Sequence, residues 1–239
     1  MIIDVDIFRR FINKSSLSGS IKTMYIDFLN DGMHCRVFDE NKVCMTETKY
    51  NVDIDNIDDM ESRVFIKNTD KLLKILKTFK GNVEITTPEP YIMSIKSEDN
   101  NREVDIILGS DIVCDNIAEK EMPTIPSVLK TPISRDFLNK VIVDLELEKA
   151  TCVDIVVNDN KLYFSIGEKN SSDLLSNSMD VSYSDGIRVS IGEYLKSLYN
   201  AVDNGSELDI ELGSDVPVIV RERGDMIVYS CMIAPIVKD

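Results

Sequence analysis

The sequence predicts an α+β protein made of two similar domains, each with antiparallel strands and two short helices. Three observations lead to this prediction. The chain has 239 residues, 43% of them hydrophobic, which is enough for two cores of about 120 residues each. Short helical segments with one apolar face occur between runs of alternating strand pattern. The same order of elements then appears twice, at a spacing of about 122–130 residues.

The first half begins with a helix whose apolar face is formed by Phe8, Phe11 and Ile12. An alternating strand follows, and Asn30-Asp31-Gly32 then supplies residue types that accept the positive φ of a hairpin turn. The predicted elements are a helix at 8–12, a strand at 22–29, a turn at 30–32, a helix at 72–76, a strand at 83–87, a break at Pro90 and two closing strands.

The second half repeats this order. Its predicted elements are a helix at 138–142, a strand at 151–157, a turn at 158–160, a helix at 194–198, a strand at 208–212, a break at Pro217 and two closing strands. Residues 110–124 carry scattered charges and a proline, which is typical of an extended surface connector. The predicted domains are therefore 1–109 and 125–239, joined by a connector at 110–124.

Basic charge is segregated in a chain whose net charge is −15. Residues 7–18 and 71–80 contain arginine and lysine but no acid. At 100° per residue, most of these cations lie opposite the apolar face of their helix. Such a pattern suits sequence-independent contact with phosphates. The candidate DNA-facing residues are Arg9, Arg10, Lys14, Lys71, Lys74, Lys77, Lys80, Asn139, Lys140 and Lys196.

The third helix differs from the other three. Val143 is an apolar residue on the face that should carry cations, and Asp144, Glu146 and Glu148 are expected to follow the helix. If these acids do not point away from the DNA-facing side, DNA would be held less tightly by the second half.

Several classes of function are not favoured. His34 is the only histidine, and no motif of a hydrolase, a metalloprotease or a nucleotide-binding enzyme occurs. We therefore expect no catalytic residue, no metal and no cofactor. The five scattered cysteines, the lack of a membrane-length apolar run and the acidic N-terminus predict an intracellular protein that is neither secreted nor membrane-bound.

Three segments resemble the proliferating-cell-nuclear-antigen (PCNA) family of DNA sliding clamps. Asp215-Val216-Pro217 opens a strand, and the return strand ends in Ala234-Pro235-Ile236, which is similar to the D-V-P hairpin and A-P-x-I tail of that family. Residues 31–43 resemble its segment G-x-x-x-x-x-M-D-x-x-x-V, and residues 73–77 resemble its lysine-bearing second helix. The order of elements agrees over the whole chain.

The resemblance implies a DNA polymerase processivity factor with the DNA clamp fold. Sheets would lie outside and helices would face a hole that encircles duplex DNA without sequence preference. A chain of two repeats implies a homotrimeric ring, closed by pairing edge strands at 102–108 and 174–183. An ATP-dependent clamp loader would open the ring on replicating DNA. DNA polymerase and other replication and repair proteins would bind through short hydrophobic motifs.

The family's partner motifs dock under the connector. Carried over position by position, the resemblance implies a pocket formed by Phe38, Val43, Ile117, Met122, Pro217, Met232, Ala234 and Pro235. Phe38 stands where the family usually has methionine, and Met232 where it often has an aromatic residue. Two alternatives stay open: an acidic β-rich adaptor that binds only proteins, and a checkpoint or viral-transcription clamp that works in a heteromeric ring.

Overall fold

The computed structural model describes residues 1–52, 61–98, 101–110, 121–126, 129–167, 174–183, 186–192, 194–224 and 226–236. Helices and antiparallel strands alternate along it, which confirms the predicted α+β fold. The four helices of the described residues are α1 (Val5–Ser15), α2 (Thr69–Leu76), α3 (Arg135–Glu148) and α4 (Tyr194–Ala201). None of these helices is both long enough and apolar enough to cross a membrane.

The chain forms two compact units. The first contains Met1–Glu121 and Gly224–Tyr229, and the second contains Met122–Arg223 and Ser230–Asp239. Most of the predicted connector, residues 111–120, lies outside the described residues, and so do Cys114 and Ile117. The predicted domain limits at 109 and 125 therefore stay predictions.

The first unit has eight strands in two groups of four neighbours. Its strands are β1 (Ile2–Asp4), β2 (Met24–Leu29), β3 (Gly32–Phe38), β4 (Cys44–Asn51), β5 (Arg63–Ile66), β6 (Asn82–Glu89), β7 (Ile92–Ser97) and β8 (Glu103–Ile107). One sheet has the order β1-β6-β7-β8, and β5-β2-β3-β4 lie side by side in the other. The predicted turn at 30–32 joins β2 to β3, because Gly32 takes a positive φ and lies too close to the Tyr50 carbonyl for any side chain.

The second unit repeats this arrangement. Its strands are β9 (Leu129–Ile133), β10 (Val153–Asn158), β11 (Lys161–Ile166), β12 (Leu175–Asp180), β13 (Ile187–Ile191), β14 (Glu207–Leu212), β15 (Val218–Arg223) and β16 (Ile227–Ile233). The order β12-β11-β10-β13 matches β4-β3-β2-β5 of the first unit, and β9-β14-β15-β16 matches β1-β6-β7-β8. The first residues of β16 belong to the first unit.

Each core lies where helices meet sheets. Phe8, Phe11 and Ile12 of α1 are fully buried, as predicted, and Leu72 and Leu76 are the buried side of α2. In the second unit, Leu138 of α3 and Leu198 of α4 have the same role. Burial of these apolar stripes leaves the opposite face of every helix toward solvent.

Candidate nucleic-acid interface

The end of α1 and the start of α2 are joined through the turn at 16–22. Gly19 has a φ of +84°, and a side chain at this position would collide with the carboxylate of Asp70. The hydroxyl of Thr69, at the start of α2, donates a hydrogen bond of 2.7 Å to the carbonyl of Ile21. The turn thus holds the outer faces of the two helices side by side.

A depression of about 290 Å³ lies between these outer faces. Four of the candidate DNA-facing cations line it: Arg9, Arg10, Lys74 and Lys77. The other lining residues are Asn13, Ser18, Asp70 and Leu73. Asp70 is the single carboxylate among these described lining residues, and Lys22 binds it at 2.7 Å. Positive charge therefore dominates the depression, as an anion such as a phosphate would require.

The lysines of the second helical region are exposed. Lys71, Lys74, Lys77 and Lys80 all point to solvent, and within the described part of the chain none of the four forms an ion pair. Arg9 differs, because its guanidinium lies 2.9 Å from the exposed carboxylate of Asp6. Exposed ion pairs of this kind are weak and are screened by salt, so Arg9 remains able to meet another anion.

The prediction that Lys14 faces DNA is wrong. Lys14 is 1% exposed, and its Nζ lies 5.4 Å from the centre of the Tyr229 ring. On the helix, position 14 lies between Phe11 on the buried side and Arg10 on the exposed side. Tyr229 covers that boundary, and the lysine gains a cation–π contact in place of water.

The candidate residues of the second unit lie on exposed positions of α3 and α4. Asn139, Lys140 and Lys196 are all exposed. The Nζ of Lys196, however, binds Oε1 of Glu146 on α3 at 2.5 Å. This ion pair is exposed, like that of Arg9, so it is weak and offsets the charge of Lys196 only in part.

The prediction that Asp144, Glu146 and Glu148 follow the third helix is wrong. These acids are part of the helix, because α3 continues to Glu148. The carboxylate of Asp144 accepts a hydrogen bond of 2.6 Å from Asn177 of β12, so it points toward the sheet. Glu146 points toward α4, where it meets Lys196. Glu146 thus lowers the positive charge of this surface.

Two apolar side chains complete the exposed face of α3. Val143 is 53% exposed and Leu147 is 69% exposed. Val143 was expected on this face from the sequence but Leu147 was not, although a spacing of four residues places both on one face. No local pattern could have shown the contact between Lys196 and Glu146, which are 50 residues apart.

The candidate partner-binding residues share one property. All seven that the structure describes are half-buried: Phe38, Val43, Met122, Pro217, Met232, Ala234 and Pro235. The eighth, Ile117, lies outside the described residues. Apolar side chains that are neither fully buried nor fully exposed are typical of surface sites for apolar ligands. Whether they receive a partner stays a prediction.

A cavity of about 610 Å³ in the second unit lies next to the C-terminal tail. Its lining includes Arg188, Asp215, Pro235 and Ile236. The backbone N–H of Ile236 donates a hydrogen bond of 2.8 Å to the carbonyl of Ser190 on β13. The tail is thereby fixed to this strand at Ile236.

The two segments expected to close a ring are edge strands. In the first unit β8 ends the sheet β1-β6-β7-β8, and in the second unit β12 ends the sheet β12-β11-β10-β13. Each lies within its predicted segment, 102–108 or 174–183. An edge strand offers unpaired backbone N–H and C=O groups to another chain.

Comparisons by sequence find nothing similar: no family model matches the chain, and no curated protein matches it either. Comparison by structure finds PCNA proteins over the full chain. The A. fulgidus PCNA bound by the C-terminal region of FEN-1 is 18% identical, with a TM-score of 0.80, covering 100% of this chain and 98% of that one. The PCNA of Thermococcus kodakaraensis is 16% identical, with a TM-score of 0.80 and 99% coverage of each chain.

A PCNA2–PCNA3 complex from Sulfolobus tokodaii is also similar, with 18% identity, a TM-score of 0.69 and coverage of 98% of this chain and 99% of that one. The chain therefore has the DNA clamp fold of the PCNA sliding clamps.

Proposed function

We propose that the chain is a sliding clamp of the PCNA family, a processivity factor that encircles duplex DNA. The observation that carries the proposal is the depression between α1 and α2. Four cations line it in a chain whose net charge is −15. Phosphates would be attracted to this surface and repelled by the acidic remainder of the protein.

Contact with DNA would be weak and independent of sequence. The lysines of α2 are point charges on flexible stems, and such side chains contact phosphates and do not read base edges. Many contacts of this kind allow movement along the duplex, because no contact is tied to one base pair. Residence on DNA would then come from enclosure, and catalysis, nucleotide binding and cofactors would have no part in it.

Ring closure would use the two edge strands. Three copies, each with two similar units, would pair β8 of one chain with β12 of the next. A head-to-tail contact repeated by rotation closes into a ring. An ATP-dependent loader would have to open one of these contacts to admit DNA.

Partner proteins would bind through the half-buried apolar residues and the C-terminal tail. The A. fulgidus PCNA that shares this fold is bound by the C-terminal region of FEN-1. A similar short peptide of a polymerase or a repair protein would place apolar side chains against half-buried residues of the second unit such as Met232 and Pro235. The tail at Ala234-Pro235-Ile236 would supply backbone groups to the same peptide.

Retention on circular DNA tests the proposal. The clamp is loaded on a closed circle, and half of the sample is then cut once with a restriction enzyme. The proposal expects retention on the closed circle and loss from the cut one, since a ring slides off an end. Equal retention on both would contradict enclosure. An adaptor that binds only proteins would show no retention, and its activity would not depend on Arg9, Arg10, Lys74 and Lys77.

A heteromeric ring is the second candidate, since a PCNA2–PCNA3 complex has the same fold. Light scattering on the purified chain separates the two candidates. A mass of three chains supports the homotrimer, whereas a monomer that assembles only with another clamp chain supports the heteromeric ring.

A further inference from the structure

The turn between α4 and β14 contains Asn204, the only asparagine of the sequence that is followed by a glycine. Asn204 and Gly205 are both exposed. Gly205 has a φ of +79°, and a Cβ atom at this position would meet nothing within 4 Å. The tip of the turn is therefore open to solvent and free of steric crowding.

The two ends of this turn are held in place. The backbone N–H of Asp203 donates a hydrogen bond of 2.9 Å to the carboxylate of Glu222, which is 3% exposed. The hydroxyl of Ser206 lies 2.5 Å from the same carboxylate oxygen and 2.8 Å from the carbonyl oxygen of Asp203. These bonds fix the turn without using the backbone N–H of Gly205.

The backbone N–H of Gly205 donates no hydrogen bond to any residue that the structure describes. Most backbone N–H groups of a folded protein are bonded to an acceptor, and a bonded nitrogen cannot readily attack another group. The nitrogen of Gly205 directly follows Asn204 in the chain, so it can close a cyclic imide by attack on Cγ of that side chain. Gly205 has no side chain to hinder this approach.

Arg135 of α3 contacts the amide that would be attacked. Its Nη1 donates a hydrogen bond to Oδ1 of Asn204. The guanidinium lies over the ring of Tyr199, 4.3 Å from its centre, and Nη2 donates a bond of 3.3 Å to the Tyr199 carbonyl. A fixed cation at Oδ1 draws electrons from the amide carbon, and it stabilises the negative charge that develops on this oxygen during an attack.

We propose that Asn204 is a site of spontaneous modification, at which the side-chain amide is hydrolysed through a cyclic imide. The nitrogen of Gly205 forms a bond to Cγ of Asn204. The bond from Cγ to the side-chain nitrogen breaks, and ammonia leaves with the proton of the Gly205 N–H. Water then opens the imide at either carbonyl, which gives aspartate or isoaspartate. The reaction needs only water, and it does not depend on the proposed function.

The product differs from the original protein in charge and in backbone. A carboxylate at position 204 adds one negative charge, and Arg135 lies where it can bind this group. In the isoaspartate form the main chain runs through the side-chain carbon, so the turn after α4 becomes longer. A population of this chain would therefore become heterogeneous with age at one defined place.

Ageing of the purified chain tests the proposal. The chain is incubated at mildly alkaline pH, because the attacking nitrogen must lose its proton, and is then digested in acid and sequenced by mass spectrometry. We expect a gain of about 1 Da at position 204 and labelling there by a protein isoaspartyl methyltransferase. Asn177 is the internal control, because it lies on the paired strand β12 and its amide donates a bond of 2.6 Å to Asp144. Equal conversion at Asn177 would contradict a site set by the open turn.

Asn204→Gln is the blocked variant, since glutamine would have to close a larger ring that forms far more slowly. This variant should lose the isoaspartate label and the acidic species that the aged chain shows on anion exchange. An acidic species that persists in Asn204→Gln would place the modification elsewhere. An Asn204 that stays intact in the folded chain, over a period that converts the urea-unfolded chain completely, would show that the turn blocks the attack and would also overturn the proposal.

Two variants of Arg135 test the part of the guanidinium. Because the site is exposed, loss of the cation in Arg135→Met should slow conversion less than in a closed active site, by about tenfold. Arg135→Lys keeps the charge and should restore most of the rate, and in urea both variants should convert like the original chain. Unchanged or faster conversion in the folded Arg135→Met variant would overturn the activating role of Arg135.

Discussion

The two units share a fold but differ in the surface that their helices expose. In the first unit, α1 and α2 surround a depression lined by four cations. In the second, the exposed side of α3 and α4 carries Val143 and Leu147, and its Lys196 is bound to Glu146. The difference teaches that core packing fixes the order of elements in a duplicated chain, whereas charges on the solvent face can diverge.

For the proposed clamp, this divergence implies that the two units of each chain bind DNA with unequal strength. Phosphate contacts would come mainly from the first unit of each chain. The second unit would complete the enclosure with weaker attraction. The following changes test this inequality.

Removal of the first unit's cations should have the largest effect. At about 0.15 M salt each lost phosphate contact lowers affinity roughly fivefold, so Arg9, Arg10, Lys74 and Lys77 changed together to alanine should weaken duplex binding by about a hundredfold or more. The dependence of affinity on salt should also become flatter. Fluorescence anisotropy with a short duplex measures both. The exposed Lys42 and Lys161 changed to alanine are the control, and the same loss per removed charge in them would show that only net charge matters.

A half-buried acid of the first unit should affect stability next most strongly. Glu47 on β4 lies 3.3 Å from His34 Nε2 and 2.8 Å from Arg36, and hydrogen bonds from these groups lower its pKa to about 2. Because the pKa of Glu47 is lower in the folded protein, its charged carboxylate stabilises the fold at pH values above its ordinary pKa near 4.5. This stabilisation is lost as the pH falls toward 2. Glu47→Gln should cost about 2 kcal/mol at pH 7 and little at pH 2.

Glu211 on β14 is an acid of the second unit whose pKa is also lowered. Burial raises the pKa of its carboxyl, but hydrogen bonds from Arg221 and Lys130 outweigh this and lower the pKa overall. Urea unfolding at several pH values should give a smaller pH-dependent loss for Glu211→Gln than for Glu47→Gln. An equal or larger loss would show that the two units do not differ in this respect.

Cations placed on α3 should make the units more alike. Val143→Lys with Leu147→Lys would add two phosphate contacts, and we expect duplex binding to strengthen about tenfold with a steeper salt dependence. Val143→Ser with Leu147→Ser is the control, since it removes the apolar stripe without adding charge. If the serine variant binds as tightly as the lysine variant, the apolar surface itself hinders DNA.

Release of Lys196 should have a smaller effect. Glu146→Gln removes the carboxylate that binds Lys196, so affinity for duplex DNA should rise about threefold. Lys196→Ala alone should change little, but it should cancel the gain in the Glu146→Gln background. A gain that survives in the double variant would mean that Glu146 acts by repelling DNA directly.

The smallest effect is expected at Lys14. Lys14→Met keeps most of the side-chain volume beside Tyr229, so the salt dependence of duplex binding should not change. Arg10→Met, one turn earlier and exposed, is the matched variant and should flatten that dependence by about one contact. If Lys14→Met flattened the salt dependence as much as Arg10→Met, Lys14 would have to contact DNA after all.

Much of this arrangement could be predicted from local sequence. The apolar spacing of Phe8, Phe11 and Ile12 indicated the first helix, and the doubled order of elements indicated two similar units. The edge strands were expected only from the resemblance to the PCNA family. The burial of Lys14 could not be predicted, because it depends on Tyr229, which is remote in sequence. The length of α3 was underestimated because its last turn is acidic, and only the fold shows that Asn177 and Lys196 bind those acids.

The place of Tyr229 affects how the protein is made. This ring is fully buried, and residues 224–229 belong to the unit that begins at Met1. A ribosome must therefore synthesise the chain as far as residue 229 before the core of the first unit can close over Lys14. Until then, that core is a substrate for chaperones, and a fragment ending at residue 121 would be expressed as an incomplete, aggregation-prone product.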